Sequence, residues 1–322
     1  MEEIKIAPRS FNFMESDERR GILTKRSLYK NKLRAEIGWY LKLPKELRYL
    51  TPRIFDYSLD CDSPFVSMEF YGYRTLHELL IRNWGGVSRS DCEEIFRRLM
   101  FVVEEFQAHR INCDRASAQV AVRAMCVDKT VRRLQRLGDG FKNFFTRRII
   151  VNGKTYPSLN EIIDVLPAMA ERLLFENVEE YFSVIHGDLC FPNILVEEEH
   201  KFFRLVDPRG QFGDFDIYGD WRYDLAKLLH SPEGGYDLII ADKFKVSVDD
   251  TAIDYEMPNF AATREIFFEV FATQLRDLPA LRLIEATLFL SMIPLHADSL
   301  SRQQVMLARG VELFGAVWEG AK

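Results

Sequence analysis

Three polar side chains lie at short, fixed intervals in the middle of this 322-residue sequence. Asp188 and Asn193 are five residues apart in HGDLCFPN, and Asp207 follows fourteen residues later in VDPRG. Carboxylate and amide oxygens suit a hard cation such as Mg²⁺, and a further carboxylate can accept the proton of a hydroxyl. The set indicates phosphoryl transfer, in which a metal holds the phosphates and a carboxylate orients the attacking hydroxyl.

Short apolar strands are expected to position these side chains. A strand predicted over residues 181–185 ends at the polar loop that begins with HGD. A strand pair over 194–196 and 202–206 follows, and its second strand ends directly before Asp207. The strand ends therefore bring the three polar residues to one edge of a sheet.

The order of these residues resembles that of the aminoglycoside phosphotransferase and choline kinase family, whose loop reads HGDxxxxN. A following Asp and the later run RYDLAK extend the likeness. The resemblance implies an α+β, two-lobed protein-kinase-like fold with a small β-rich N-terminal lobe and a larger, mainly helical C-terminal lobe. We expect the lobes to comprise residues 1–73 and 74–322.

The resemblance also implies roles for the motif residues. Asp188 is expected to be the catalytic base, and His186 belongs to the same loop, more as a brace than as a proton carrier. Asn193 and Asp207 are expected to hold Mg²⁺ on the phosphates of ATP.

Residues of the RYDLAK region are expected to support the loop. Asp224 would bond the loop backbone and, with Arg222, keep Asp188 in place. Asp220 is either a helix cap or part of the same support. Arg209 either reaches a phosphate or makes a structural salt bridge.

The N-terminal part is expected to supply nucleotide contacts. A strand over 22–24 precedes Lys25, and Glu36 follows on a predicted helix that begins near Lys30. The apolar face of this helix recurs at 3–4 spacing, at Leu33, Ile37, Tyr40 and Leu41. In kinase-like folds a strand Lys contacts the α/β-phosphates and is held by a helix Glu. The alternative is that Lys25 and Glu36 are ordinary surface residues; Arg26 is a poorer candidate because its charge is less compact.

No glycine-rich GxGxxG motif precedes Lys25, which favours the small-molecule branch of the family. Residues 10–13 are the expected phosphate-covering loop, between a strand over 4–7 and a polar turn over 15–20.

A strand over 64–70 resembles the hinge of this fold, where the backbone around Glu69 and Tyr71 would bond the purine edge. An ordinary strand that enters a helix at Thr75 is compatible with the same residues.

The second lobe is predicted to be helical. Capping pairs at Ser90 and Glu93, and at Ser158 and Glu161, open two helices, which are expected to run to about His109 and Arg172, the latter kinked near Pro167. Three helices are predicted after a cap at Asn259, and the lone His296 with Asp298 either lines the acceptor pocket or is structural.

A basic segment lies at 110–157. Between 110 and 148 it carries ten Lys and Arg against three Asp, an excess of seven positive charges. It is either an electropositive flank near the cleft, which would suit an anionic acceptor, or a solvated helical face.

Composition narrows the class of protein. The net charge of −6 argues against nucleic-acid binding. Five scattered cysteines without a CxxC motif, and no signal-peptide pattern, favour a reducing cytoplasm. The most apolar stretch, 286–295, is too short to cross a bilayer, so no membrane span is expected. Oligomeric state stays open.

These observations predict an ATP- and Mg²⁺-dependent kinase acting on a hydroxyl of a sugar, an amino alcohol or a related metabolite, with cell-surface polysaccharide synthesis as the preferred setting. An antibiotic (aminoglycoside) kinase is the alternative, and a non-catalytic nucleotide-binding or scaffold protein of the same fold is the rival class. A protein substrate is disfavoured because only sixteen residues separate Asp207 from Asp224, and because Cys190 stands where Ser/Thr kinases carry a phosphate-binding Lys.

Overall fold

A computed structural model of the chain describes residues 12–82, 88–176 and 178–320. These residues form an α+β fold, as predicted, with small, mostly antiparallel sheets and a larger number of helices. The strand expected over 4–7 lies outside the described residues, as do the first two residues of the expected phosphate-covering loop. Its last two residues, 12 and 13, belong to the strand Asn12–Asp17, so the loop prediction is wrong there.

The strands are short, and most lie in the N-terminal half of the fold: β1 Asn12–Asp17, β2 Ile22–Ser27, β3 Ile54–Ser58, β4 Phe65–Glu69, β5 Arg74–Thr75, β6 Arg110–Asn112, β7 Ile149–Val151, β8 Lys154–Tyr156, β9 Tyr181–Val184, β10 Ile194–Glu197, β11 Phe202–Leu205, β12 Tyr218–Gly219, β13 Lys245–Asp249 and β14 Ala252–Glu256.

The α-helices have 5 to 20 residues: α1 Lys30–Lys42, α2 Leu76–Arg82, α3 Arg89–Ala108, α4 Arg115–Arg123, α5 Lys129–Leu134, α6 Lys142–Thr146, α7 Leu159–Ala170, α8 Trp221–Leu229, α9 Tyr236–Ile240, α10 Ala261–Val270, α11 Leu278–Met292 and α12 Leu300–Glu319. Short 3₁₀ segments lie at Lys45–Leu50, Asp139–Phe141, Phe191–Asn193 and Ile293–His296, and π segments at Ala124–Asp128 and Glu171–Phe175.

Two compact units make up the described chain. The first comprises residues up to 111 together with 182–224, and the second comprises 112–181 together with 225 onwards. These units are the compact parts of the chain and are not the predicted lobes, so the lobe boundary expected at residue 73 stays a prediction. All of the motif residues identified from sequence, from Lys25 to Asp224, fall in the first unit.

The first unit contains an antiparallel sheet in the order β1-β2-β4-β3. Lys25 in β2 lies opposite Met14 of β1 and Val66 of β4. The polar turn expected over 15–20 is wrong in its first half, because residues up to Asp17 belong to β1. Five of the six β1 side chains are exposed, so the strand lacks the apolar alternation by which strands are recognised.

Helix α1 begins at Lys30, as predicted, and packs its apolar face inward. Leu33, Ile37 and Tyr40 are buried. Trp39, which the predicted face omitted, is also buried, and its indole Nε1–H donates to the carbonyl oxygen of Ile185 at 2.7 Å. This bond fixes α1 to the end of β9, directly before the HGD loop.

The two predicted capping boxes have different outcomes. Ser158 and Glu161 form both bonds of a capping box at the start of α7. The Ser90 pair is wrong, because Ser88 caps α3 and accepts the N–H of Asp91 at 3.1 Å. Two overlapping cap patterns, S-x-x-D at 88 and S-x-x-E at 90, compete in this stretch, and the earlier one begins the helix.

The second unit is built around α11 and α12, with a sheet in the order β13-β14-β7-β8. The three helices predicted after Asn259 are present. The cap residue of α10 is Phe260 and not the predicted Asn259, whose side chain accepts the N–H of Ala261 at 2.9 Å from one position earlier. The apolar run is longer than the expected 286–295. Among the described residues, the segment Leu278–His296 has the length and composition to cross a membrane, but 72% of it is buried inside the fold, as in a core helix.

We predict that Trp39→Phe lowers the free energy of unfolding by about 2–3 kcal/mol, because it leaves the buried Ile185 carbonyl without its donor and removes ring volume. Urea denaturation measures the loss. Trp318→Phe, at the half-buried end of α12, is the matched control and should cost less than half as much. Equal losses would show that the Trp39 bond contributes nothing special.

Candidate active site

A buried ion pair joins β2 to α1. Lys25 Nζ donates to both carboxylate oxygens of Glu36, at 2.9 and 2.8 Å, and each residue is only 3% exposed. The two are therefore not ordinary surface residues. The adjacent Arg26 is exposed and places its guanidinium over the ring of Phe65, 4.9 Å from the centroid. Lys25 is the cation that the strand turns inward.

A second carboxylate reaches the same ammonium. Asp207 Oδ1 accepts a hydrogen bond from Lys25 Nζ at 2.5 Å, while 40% of the Asp207 side chain stays exposed. The Asp207 backbone is left-handed, with φ of +58°, a conformation that Asp tolerates better than most residues. The cluster thus combines one ammonium with two carboxylates, one of them accessible.

Burial and charge shift the protonation of this cluster. Burial acts to lower the pKa of Lys25, but the carboxylates of Glu36 and Asp207 outweigh it, so the pKa is raised and the ammonium stays charged. Burial also raises the pKa of Glu36 to about 7, with Lys25 opposing the rise and Asp207 adding to it. A cation arriving at Asp207 would favour the ionised form of Glu36.

The loop from Asp188 to Asn193 is held by its own polar groups. The Asp188 carbonyl oxygen accepts the Asn193 Nδ2–H at 2.8 Å and the Cys190 N–H at 2.8 Å. The Asn193 carbonyl accepts the N–H of Val206 at 3.0 Å, which ties the loop to the residue before Asp207. Asp188, Asn193 and Asp207 are all half-buried at this point of the fold.

His186 is a buried brace. Its side chain is fully enclosed, Nδ1 accepts the Asp188 N–H at 3.3 Å, and the ring meets Trp39 edge-on at 5.6 Å. Burial lowers the pKa of His186 to about 4, although the charges of Asp188 and Asp207 oppose the shift. The imidazole is neutral at pH 7, which suits a residue that orients the loop rather than one that carries a proton.

One carboxylate holds the turn of the loop. Asp224 Oδ2 accepts the N–H of His186 at 2.6 Å, and Oδ1 accepts the N–H of Gly187 at 2.8 Å. This is the contact that the family resemblance implied. Asp220 accepts both the backbone N–H of Arg222 at 3.0 Å and its guanidinium at 2.6–3.0 Å, all buried, so it caps α8 and fixes Arg222 together.

Arg209 contacts the loop backbone. Its N–H donates to the His186 carbonyl at 2.8 Å and its Nε–H to the Gly187 carbonyl at 3.2 Å. Gly187 has φ of +75°, and a Cβ there would lie 2.8 Å from the Cβ of Arg209. The segment after Asp207 is therefore pinned to the HGD loop through backbone groups, a contact that residue types alone did not reveal.

The expected hinge has most of its N–H groups engaged. Glu69 N–H donates to the Arg53 carbonyl and Phe70 N–H to the Gly21 carbonyl, both at 2.8 Å. The Tyr71 hydroxyl donates to Glu69 Oε2 at 2.6 Å, and Arg204 Nε–H donates to that hydroxyl at 3.2 Å. The backbone N–H groups of Glu69 and Phe70 are thus unavailable to a nucleotide. Of the backbone groups predicted to bond a purine, the Tyr71 N–H and the carbonyl groups of residues 69–71 stay as candidates.

The donor set at the loop end fits a divalent cation. Asn193 uses its amide nitrogen on the Asp188 carbonyl, which leaves the amide oxygen as a possible ligand. Asp207 uses Oδ1 on Lys25, which leaves Oδ2. An amide oxygen and a carboxylate oxygen are the hard ligands that Mg²⁺ takes in proteins, with water and phosphate completing the coordination.

The basic segment is partly neutralised within its own unit. Arg123 pairs with Glu171 at 3.5 Å, Lys142 with Asp139 at 2.9 Å, and Arg147 with Asp250. Its proximity to a cleft stays a prediction. In the same unit Asp298 pairs with Arg302 at 3.1 Å, and His296 is half-buried at the end of a 3₁₀ turn.

Comparisons with known proteins match the fold and not the sequence. No protein-family model matches the chain, and no curated protein matches it in sequence. Among solved structures, it is similar to a thermostable mutant of aminoglycoside phosphotransferase APH(4)-Ia in a ternary complex with AMP-PNP and hygromycin B. The TM-score is 0.58 with 13% identity, over 98% of this chain and 93% of that one.

The chain is also similar in fold to two further solved structures. The streptomycin–ATP–APH(2")-IIa complex has a TM-score of 0.51 with 16% identity, over 96% of this chain and 90% of that one. ADP-bound aminoglycoside phosphotransferase APH(2'')-Ib has a TM-score of 0.51 with 14% identity, over 97% and 95%. Identities this low show the fold alone, and that fold is the predicted two-lobed, kinase-like one.

We predict that His186 makes the protein acid-sensitive. The unfolded chain takes up this proton near the ordinary pKa of 6.5, whereas the folded protein resists it down to about 4. Stability is therefore complete above pH 6.5 and falls as the pH drops towards 4, by about 3 kcal/mol. In urea unfolding across this range His186→Asn should lack that loss, while His200→Asn, exposed on the surface, should keep it; parallel curves for His186→Asn and wild type would refute the assignment.

We predict that Asp224→Asn lowers the free energy of unfolding by about 2–3 kcal/mol, because an amide NH₂ replaces one oxygen that faces a backbone N–H. Chemical denaturation at pH 7 measures the change. Asp164→Asn, on the exposed face of α7, is the control and should stay within about 0.5 kcal/mol of wild type. A loss no larger than the control would mean that the loop does not depend on this carboxylate.

Proposed function

We propose that this chain, which has the fold of the aminoglycoside phosphotransferases, is an ATP- and Mg²⁺-dependent kinase that phosphorylates a hydroxyl of a small molecule. The observation that carries the proposal is the cluster in the first unit. A buried Lys25–Glu36 pair meets Asp207, and Asp207 is tied through Val206 to the loop of Asp188 and Asn193.

The cation site would be formed by the free oxygens of Asn193 and Asp207. Bound there, Mg²⁺ would neutralise the phosphate charge that repels an incoming nucleophile. Lys25 is charged and held by Glu36, so it can contact the α/β-phosphates without losing its geometry. Because Lys25 is nearly enclosed, its charge is screened little by water.

Asp188 is the residue that we assign to the acceptor hydroxyl. Its backbone is fixed on both sides, by His186 Nδ1 at the N–H and by Cys190 and Asn193 at the carbonyl, while its carboxylate is half-buried. The acceptor hydroxyl would donate to this carboxylate and attack the γ-phosphorus. The bond from that phosphorus to the β,γ-bridging oxygen breaks, ADP departs with that oxygen, and the hydroxyl proton passes to Asp188.

His186, Asp224 and Arg209 hold the loop of Asp188 in place. They bond the loop through backbone groups, and the neutral imidazole adds no charge beside Asp188. A scaffold without activity needs no such arrangement around an accessible carboxylate. The fixed, half-buried Asp188 therefore supports catalysis over the non-catalytic alternative.

The acceptor is proposed at the level of a hydroxyl-bearing small molecule such as a sugar or an amino alcohol. The case for an anionic acceptor rested on the basic segment, and ion pairs such as Arg123–Glu171 neutralise part of that charge. An aminoglycoside is the second candidate, supported by the hygromycin B and streptomycin complexes of proteins with the same fold. We place the enzyme in the cytoplasm, where its five cysteines, none of which forms a disulfide within the described residues, would stay reduced.

We predict ADP release from ATP and Mg²⁺ with one of three acceptor pools: sugars, amino alcohols or aminoglycosides. Asp188→Asn should lower kcat by roughly 10²–10⁴-fold while Mg²⁺·ATP still raises the melting temperature. Asp207→Asn should lose the Mg²⁺-dependent part of that rise, because it loses a charged ligand.

Asp164→Asn, on the exposed face of α7 in the second unit, is the control and should match wild type in both readouts. Full turnover by Asp188→Asn would refute the base assignment. A wild-type protein whose melting temperature does not respond to ATP with Mg²⁺ would favour the scaffold alternative.

A further inference from the structure

Gly210 lies where the backbone after Asp207 touches helix α1. Its φ is +67°, and a Cβ built on it would lie 2.0 Å from the Ala35 carbonyl oxygen, 2.3 Å from the Ala35 carbonyl carbon and 3.0 Å from the Glu36 nitrogen. These are backbone atoms of a helix, so they cannot rotate away as a side chain could. Only glycine fits both the backbone angle and the space.

The contact joins two parts of the proposed active site. On the helix side, Ala35 directly precedes Glu36, which holds Lys25. On the other side, Gly210 follows Asp207 by three residues, and Arg209 between them bonds the His186 carbonyl. The segment 207–210 is therefore clamped between α1 and the HGD loop.

The reach of Asp207 depends on this closeness. Its carboxylate meets Lys25 at 2.5 Å, a distance that a shift of the segment by even 1 Å would break. The 2.0 Å distance from this Cβ to the Ala35 carbonyl oxygen is more than an ångström shorter than a normal contact, so a methyl group there forces a shift of about one ångström.

We propose that Gly210 is a positioning residue: it lets the 207–210 segment lie against α1 and so sets Asp207 relative to the Lys25–Glu36 pair. The inference rests on the proposed kinase function. It adds a glycine at position 210 to the residues on which that function depends. Gly210 itself touches neither nucleotide nor metal, and it acts through Asp207.

The test compares Gly210→Ala with Gly153→Ala. Gly153, in the β7–β8 turn, also has a left-handed backbone, with φ of +79°, but nothing lies within 4 Å of its added Cβ. Both variants carry the same backbone strain, and only Gly210→Ala carries the clash. Each is measured for melting temperature, for the extra rise that Mg²⁺ adds to stabilisation by ATP, and for kcat and the Mg²⁺ concentration at half-maximal rate.

Gly210→Ala should lower kcat at least tenfold, raise the half-maximal Mg²⁺ concentration severalfold and lose at least half of the Mg²⁺-dependent rise in melting temperature. The KM for the acceptor should change less than threefold. Gly153→Ala should match wild type in kcat, in the half-maximal Mg²⁺ concentration, in the Mg²⁺-dependent rise in melting temperature and in the KM for the acceptor. A Gly210→Ala protein that melts earlier but keeps wild-type kcat and Mg²⁺ dependence would reduce Gly210 to a structural residue and overturn the proposal.

Amide hydrogen exchange on the wild type gives a test that needs no variant. The protection that Mg²⁺ adds to ATP should appear in residues 207–210 and also in residues 33–37 of α1. Protection confined to 207–210 overturns the coupling. A wild type with neither turnover nor a Mg²⁺-dependent response to ATP overturns the proposed function itself, whereas an active wild type with an unaffected Gly210→Ala overturns only the positioning role.

Discussion

A buried ammonium must be paired, and this constraint organises the first unit. Lys25 points inward from β2, where burial alone would lower its pKa and favour the uncharged amine. Helix α1 supplies Glu36, and the segment after β11 supplies Asp207, so a strand, a helix and a loop must converge on one nitrogen atom. The Trp39 bond to Ile185 and the close approach at Gly210 then fix α1 against the two chain segments that carry the other polar groups.

The loop from His186 to Asn193 is held by its backbone groups. Asp224 bonds two of its N–H groups, Arg209 two of its carbonyls, and Asn193 a third. These bonds fix the backbone of the loop and so hold Asp188 in one position, as the proposed alignment of an acceptor hydroxyl requires. The neutral His186 fills the space behind the loop without adding a competing charge.

The sequence predicts features that depend on residues close together in the chain better than features that depend on residues far apart. Asp188, Asn193 and Asp207 were identifiable because residue type and spacing carry their chemistry, and strand ends place them. The turn predicted over 15–20 is wrong for residues 15–17, because the exposed edge strand β1 shows no alternation of apolar and polar residues. The cap predicted at Ser90 is wrong because a competing cap, Ser88, stands two residues earlier. The Gly210–Ala35 approach joins residues 175 positions apart through backbone atoms, so no local pattern encodes it.

The ion-pair cluster also makes the two ligands of the proposed reaction interdependent. Asp207 spends one oxygen on Lys25, and Lys25 spends its donors on two carboxylates, so each is partly occupied by the other. A cation at the second Asp207 oxygen would weaken the bond between Asp207 and Lys25 and make the ammonium a better partner for phosphate. A phosphate at Lys25 would weaken the same bond and make the carboxylate a better partner for the cation. By thermodynamic linkage each ligand would then raise the affinity for the other by the same factor, and the proposed site would favour the metal–nucleotide complex over either component alone.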